Sequence, residues 1–228
     1  MANRVGILRA ALVAVAVVLI TLFCRVTVVP DDAPAGTVDE AGNFVAEQKL
    51  SVPEAYAQDN WESRILPAID ERAIDPGVFV EGMKADLGAL GAKHAARANE
   101  TSPWSFCLKG KIMVLGIEDA DSKTKIKLLA DAQPYDGEPD FKVQISTVIR
   151  TNAIRDGVGF LKLDDFTNQV EFAELTKAFN ARVQKDVLAD LDPKELVGKE
   201  IELTGCVSVN SRDNEALVVP VRIVPIGE

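Results

Sequence analysis

The stretch RDGVGFLKLDDFTNQVEFAELTKAFN, residues 155–180, decides how the rest of the chain is read. It opens on the adjacent pair Arg155-Asp156, crosses an apolar patch around Phe160, and reaches Thr167, Asn168 and Gln169 where a helix begins. Beyond them Phe172, Leu175, Phe179, Val183 and Val187 recur at three- and four-residue steps, the stripe of a helix with one buried face. Thr167, or Asp164 or Asp165 just before it, is expected to cap that helix by accepting backbone N–H bonds. The stripe itself is suited to plugging one end of a barrel.

Working outward, three strand-like runs precede this segment and two follow it. WSFCLKGKIMVLGIED (104–119) is interrupted by Gly110 and Gly116, where a strand bends or bulges. TKIKLLADA (124–132) alternates as a half-exposed strand, QPYDGEPD (133–140) is turn chemistry, and FKVQISTVIR (141–150) puts Phe141, Val143, Ile145 and Thr147 on one face. KEIELTGCVSV (199–209) and ALVVPVRIVPI (216–226) complete the set, with Pro220 and Pro225 marking the last as an edge or irregular strand. Three strands, a helix, then two strands is the element order of a five-stranded OB-fold barrel, so the fold class is α+β with an OB-like domain over 101–228. In that topology the first and fourth strands pair antiparallel, which makes Cys107 and Cys206 neighbours. Two readings stand for them: a cross-strand disulfide, or two small buried apolar side chains.

Residues 44–100 read as helical. EAYAQDNWESRILPAIDERA (54–73) places Ala55, Trp61, Ile65, Ala68 and Ile69 at helical spacings, with Pro67 a kink or boundary and Trp61 a packing anchor. Asp75 followed by Pro76 is a helix start, cap then proline. Residues 31–43, DDAPAGTVDEAGN, read as a linker. Before them Arg4 and Arg9 lead into an uncharged run, 10–24, that Arg25 closes. Fifteen helical residues span roughly 22 Å against a hydrocarbon core of roughly 30 Å, so spanning needs Arg9 to snorkel. Residues 1–30 are therefore a signal or anchor segment that leaves the N-terminus in the cytoplasm and the rest outside. Cys24 stands where a lipoprotein carries its acylated cysteine, although Thr21 and Phe23 depart from the pattern that precedes one. An uncleaved or lipid-assisted tether is expected ahead of full release.

The 228 residues carry a net charge of −10. Within 104–228 there are 16 Lys/Arg against 21 Asp/Glu, a net of −5, and nucleic-acid binding is disfavoured for want of a counterion-release drive. One histidine, His94, and no CxxC argue against a metal cluster, and no cofactor is expected. Asp156, Asp164 and Asp165 are carboxylates without the nucleophile, base or spacing of a hydrolase, so scaffolding outweighs catalysis and the protein is expected not to be an enzyme. A buried Arg155 fork bridging carbonyls or a carboxylate would hold the irregular segment. Between those readings lies a ligand-binding role for Arg150, Arg155, Asp156, Asn168 and Gln169.

The same segment resembles the signature of an uncharacterised bacterial family of periplasmic lipoproteins. Arg155, Asp156, Phe160, Asp165, Phe166, Asn168, Gln169 and Asn180 stand at its motif positions, and Trp61 with Pro67, Phe106 with Gly110, Gly198, Gly205 and Pro220-Val221-Arg222 also fit. Ser146-Thr147 and Thr151-Asn152 depart, since the family tends towards Gly-Pro and Gly-Thr there. The resemblance covers most of the chain after residue 50. It implies an OB-like fold, no established activity, and company with sugar ABC-transport systems.

The expectation is thus an exported protein tethered to the outer, periplasmic side of the cytoplasmic membrane, with a non-catalytic binding or accessory role. Its partners would be that membrane and ABC-transporter components or their solute. The alternative is an OB domain binding oligosaccharides or oligonucleotides.

Overall fold

The computed structural model describes residues 52–210 and 215–226, and before them the strand segments Gly36–Val38 and Phe44–Ala46. Those two segments, β1 and β2, pair antiparallel with Gly36 opposite Ala46. This corrects the linker reading at Gly36–Val38 and the helical reading at Phe44–Ala46. Thr37-Val38 and Phe44-Val45 are β-branched or aromatic and flank Gly42-Asn43, a hairpin pattern stronger than the helical one. Among the described residues the first helix is Val52–Asn60.

Five strands form a closed barrel: β3 (Trp104–Glu118), β4 (Lys127–Ala132), β5 (Phe141–Gln144), β6 (Glu200–Val209) and β7 (Leu217–Pro225), in the order β3-β4-β5-β7-β6. β3 is long enough to serve two neighbours, pairing with β6 over Trp104–Met113 and with β4 over Ile112–Glu118. The bend falls where the glycines stand: Gly110 lies just before the change of partner, and the β3–β4 register slips between Val114 and Gly116. β7 is irregular rather than an edge. It joins β5 in parallel only at Leu217 and Val218, and its register against β6 shifts between Thr204 and Gly205, opposite Pro220 and Arg222. β5 is shorter than its pattern suggests. Past Gln144 the side chains of Gln144 and Ser146 both donate to the Val148 carbonyl, and the Thr147 N–H donates to the Lys123 carbonyl, so local bonds replace the ladder.

Period-two alternation gives β3, β6 and β7 two buried faces. Phe106, Leu108, Ile112, Leu128, Phe141, Val143, Leu203, Val207 and Val218 fill the barrel interior. Cys107, Cys206, Val219 and Val221 point the other way, into a second core. Helix α1 (Val52–Asn60), a π turn (Trp61–Ile65) and α2 (Leu66–Arg72) build that outer core with α4 (Ala153–Gly157) and α5 (Gln169–Val183). Trp61 packs there against Phe179, ring centroids 5.7 Å apart. The stripe of α5 therefore faces the outer core, against α1 and α4, and does not fill the barrel interior. Helix α3 (Pro76–His94) is the one that sends Phe79, Val80 and Leu90 to the interior core. Its start is as the Asp75-Pro76 pair requires, with the Asp75 carboxylate accepting from Gly77 N–H at 2.8 Å.

Candidate functional site

A cleft of about 580 Å³ opens between the segment that leads into β3 and the joint that leads from α4 into α5. On one side Ala96 and Ser105 exchange both backbone hydrogen bonds, at 2.9 and 2.8 Å, which pins the 96–99 segment to the barrel. Arg97 lies 3.9 Å over the Trp104 ring, its Nη1 donating to the Glu100 carbonyl. Asn99 closes the turn by accepting from the Thr101 N–H and hydroxyl.

The opposite wall is the 155–172 joint. Arg155 is buried, and its Nε and Nη2 both hold Oδ1 of Asp156 at 2.8 Å. Its Nη1 donates to the Phe172 carbonyl at 3.3 Å, and the guanidinium lies 3.9 Å from the Phe172 ring centroid. One side chain thus fixes α4 to the first turn of α5. Between them the chain turns at Gly159, whose φ of +75° suits glycine, and runs through a 3-10 turn, Leu163–Asp165.

The cap of α5 differs from expectation. Asn168 is the N-cap, its Oδ1 accepting from the N–H groups of Val170 and Glu171. Asp165 is committed to the preceding turn, where it accepts from the Lys162 N–H, and the Thr167 N–H donates to the Glu171 carboxylate. All three candidates have capping chemistry; Asn168 alone stands one residue before the first helical position.

Of the five residues read as ligand-binding, Asp156 and Gln169 line the cleft, and Arg155 sits behind them as the brace. Asn168 spends its oxygen on the helix cap, and Arg150 is exposed and outside the lining. The lining also includes Arg97, Lys162, Asp164 and Phe172, with Leu161 and Leu163 adding apolar surface. Sequence reasoning gave no signal for Arg97, because it reaches the cleft only through the Ala96–Ser105 bridge.

Two cations (Arg97, Lys162), two carboxylates (Asp156, Asp164) and two carboxamides (Asn99, Gln169) beside apolar surface offer donors and acceptors at close quarters. That set suits a small polar solute with hydroxyl groups more than a polyanion. Among the described residues no serine, cysteine or histidine lines the cleft. Among the described residues no group of three His, Cys, Asp or Glu is placed to hold a metal ion.

The β4–β5 face, where OB barrels commonly take ligands, is differently furnished. Lys142 is bound by Glu118 and Glu215, and Lys127 lies 3.6 Å from Glu118 and 3.7 Å from Asp119. The Lys142 hydrogen bond holds the Glu118 carboxyl below its usual range. Cations already neutralised by the chain's own carboxylates make a poor phosphate track.

Barrel and cleft together define an OB-type protein with a helical outer layer and a polar cleft on the joint before its long helix. A crystal structure of an OB-fold protein from Thermotoga maritima is similar, with a TM-score of 0.65 and 16% sequence identity over 78% of this chain and 100% of that chain. The chain belongs to the family described as "Predicted periplasmic lipoprotein (DUF2291)", whose sequence profile matches residues 14–224. No curated protein matches the chain. Cys24 and the anchor segment 1–30 lie outside the described residues. Among the described residues no helix is long and apolar enough to cross a membrane.

Proposed function

We propose that this protein is a non-catalytic binding or accessory protein, tethered by its N-terminal segment to the extracytoplasmic face of the cytoplasmic membrane, where it serves a sugar ABC-transport system. The observation that carries the reading is the cleft. Asp156 and Gln169 of the family's motif face Arg97 across a polar space, and the buried Arg155 holds that wall in place. A carboxylate and an amide beside apolar surface are the groups that read the hydroxyls of a neutral sugar.

Thermal-shift titration with a panel of mono- and disaccharides tests the ligand. A sugar that raises the midpoint for the parent chain and fails to do so for Gln169→Ala supports the cleft. A panel-wide absence of shift at millimolar concentrations sinks the sugar reading. Crosslinking in native membranes, followed by mass spectrometry, tests the partner, and recovery of no transporter component overturns the accessory role.

A further inference from the structure

Cys107 and Cys206 are Cα partners across the antiparallel β3–β6 ladder, both buried, with their sulfurs 3.6 Å apart. The kind of pairing follows from where the neighbouring backbone points. The Cys107 carbonyl accepts from the Ile74 N–H at 2.9 Å, and the Lys109 N–H donates to the Ile74 carbonyl at 3.0 Å. Ser105 exchanges its bonds with Ala96 in the same direction. The odd-numbered residues of this half of β3 therefore turn their backbone groups away from β6. Cys107 and Cys206 thus form a non-hydrogen-bonded pair, the kind whose Cα atoms approach to about 4.5 Å. That lies within the range of about 4.4–6.8 Å that a disulfide spans.

We propose that Cys107 and Cys206 are a site of oxidative modification, joined as a cross-strand disulfide by a disulfide-donating partner. A thiolate of the pair attacks the donor's disulfide and releases one donor thiol. The second cysteine then attacks the mixed disulfide and releases the other. The protein loses two protons and two electrons, and the donor disulfide becomes two thiols.

The surroundings set when this happens. The Cys107 thiol donates to the Gly157 carbonyl at 3.4 Å, and a Cβ at Gly157 would stand 3.3 Å from one sulfur and 3.5 Å from the other. The end of α4 therefore lids the pair. Donation to Cys107 together with burial pushes the Cys206 thiol well above its usual range. A covered, protonated pair is slow to react, so the bond closes while β3 and β6 pair during folding and the native layers then shield it.

The test is refolding of the full, detergent-solubilised chain after complete reduction, in a glutathione redox buffer, with alkylation and tryptic digestion without reductant. The expected product is peptide 98–109 joined to peptide 200–212, with a mass two hydrogens below the sum. Recovery of both cysteines alkylated, or of either one joined to Cys24 or to a second chain, overturns the pairing. The same map on chain taken from cells examines the compartment separately. A bond that forms in the buffer but is missing in the cell-derived chain overturns the export placed under the proposed function, and leaves the pairing intact.

Discussion

Arg155 holds its guanidinium 3.9 Å over the ring of Phe172, seventeen residues along the chain, and in the same pose donates to that residue's carbonyl. The cleft depends on this contact, because it fixes the wall carrying Asp156 to the helix carrying Gln169. Arg155→Ala removes the stacking and leaves the Asp156 carboxylate without its cation, so it is expected to destabilise the fold by about 2–4 kcal/mol. Arg155→Lys keeps the charge but loses the planar fork and recovers only part of that. Urea denaturation midpoints for the two variants against the parent measure both.

Trp61 fills the outer core between α1, α2 and α5, almost fully buried and in ring contact with Phe179. Trp61→Ala leaves a cavity that Phe179 on a packed helix cannot fill, and is expected to cost about 3–5 kcal/mol. Chemical denaturation measures it. A loss below about 1 kcal/mol would mean the outer helices are not part of the cooperative core.

Close packing also explains one glycine. A Cβ at Gly110 would come within 2.6 Å of the Pro76 ring and 2.8 Å of the Asp75 carboxylate. Gly110→Ala must therefore push the α3 N-terminus off the bend in β3, at about 1–3 kcal/mol. The pair Gly110→Ala with Pro76→Ala should lose less than the sum of the single changes, since the second relieves the clash created by the first. A double-mutant cycle reads this directly.

These positions also show which parts of the molecule were legible in sequence. The five barrel strands were, because period-two alternation and turn residues bracket each of them, and the element order then carried the topology. The facing of Cys107 and Cys206 followed from that topology and appears in the register. The packing partner of α5 did not. An apolar stripe states that a face is buried without saying against what, and the alternation that gives β3, β6 and β7 a second buried face was needed to decide it. Asn168 was missed as the cap because Asp164, Asp165 and Thr167 have the same chemistry within four residues. Half of the cleft was invisible for a third reason: Arg97 joins Asp156 only through a long-range backbone bridge.

Tyr135 supplies a prediction at alkaline pH. Burial, and then donation to Glu200 at 2.8 Å, push its hydroxyl from 10.0 up to about 12. The folded state holds this proton more tightly than the unfolded one. The contribution is complete below pH 10 and is lost as the pH rises through about 12. Stability of the parent should therefore fall between these values more steeply than that of Tyr135→Phe, which has no proton to lose. Denaturation midpoints at a series of alkaline pH values test the difference, and parallel curves would contradict it.

Asn180 gives the sharpest separation of hydrogen bonding from packing. It is buried, and its Nδ2 donates to the carbonyls of Ile149 and Thr151, both at 3.2 Å, tying the strand exit after β5 to the middle of α5. Asn180→Leu keeps the branched shape but leaves two carbonyls without a donor, and is expected to cost about 2–4 kcal/mol. Asn180→Asp goes further at neutral pH, because an ionised carboxylate has no proton to donate and would face two carbonyl oxygens. Protonated, the same side chain can donate to one of them. The aspartate variant's folded-state pKa is therefore raised, and the stability it retains is present below about pH 4 and lost as the pH rises through the raised value. Its deficit relative to the parent should accordingly narrow as the pH falls from 7 towards 5, while that of Asn180→Leu stays constant. A deficit in the aspartate variant that does not change with pH would show that Asn180 holds its place by shape and not by donation.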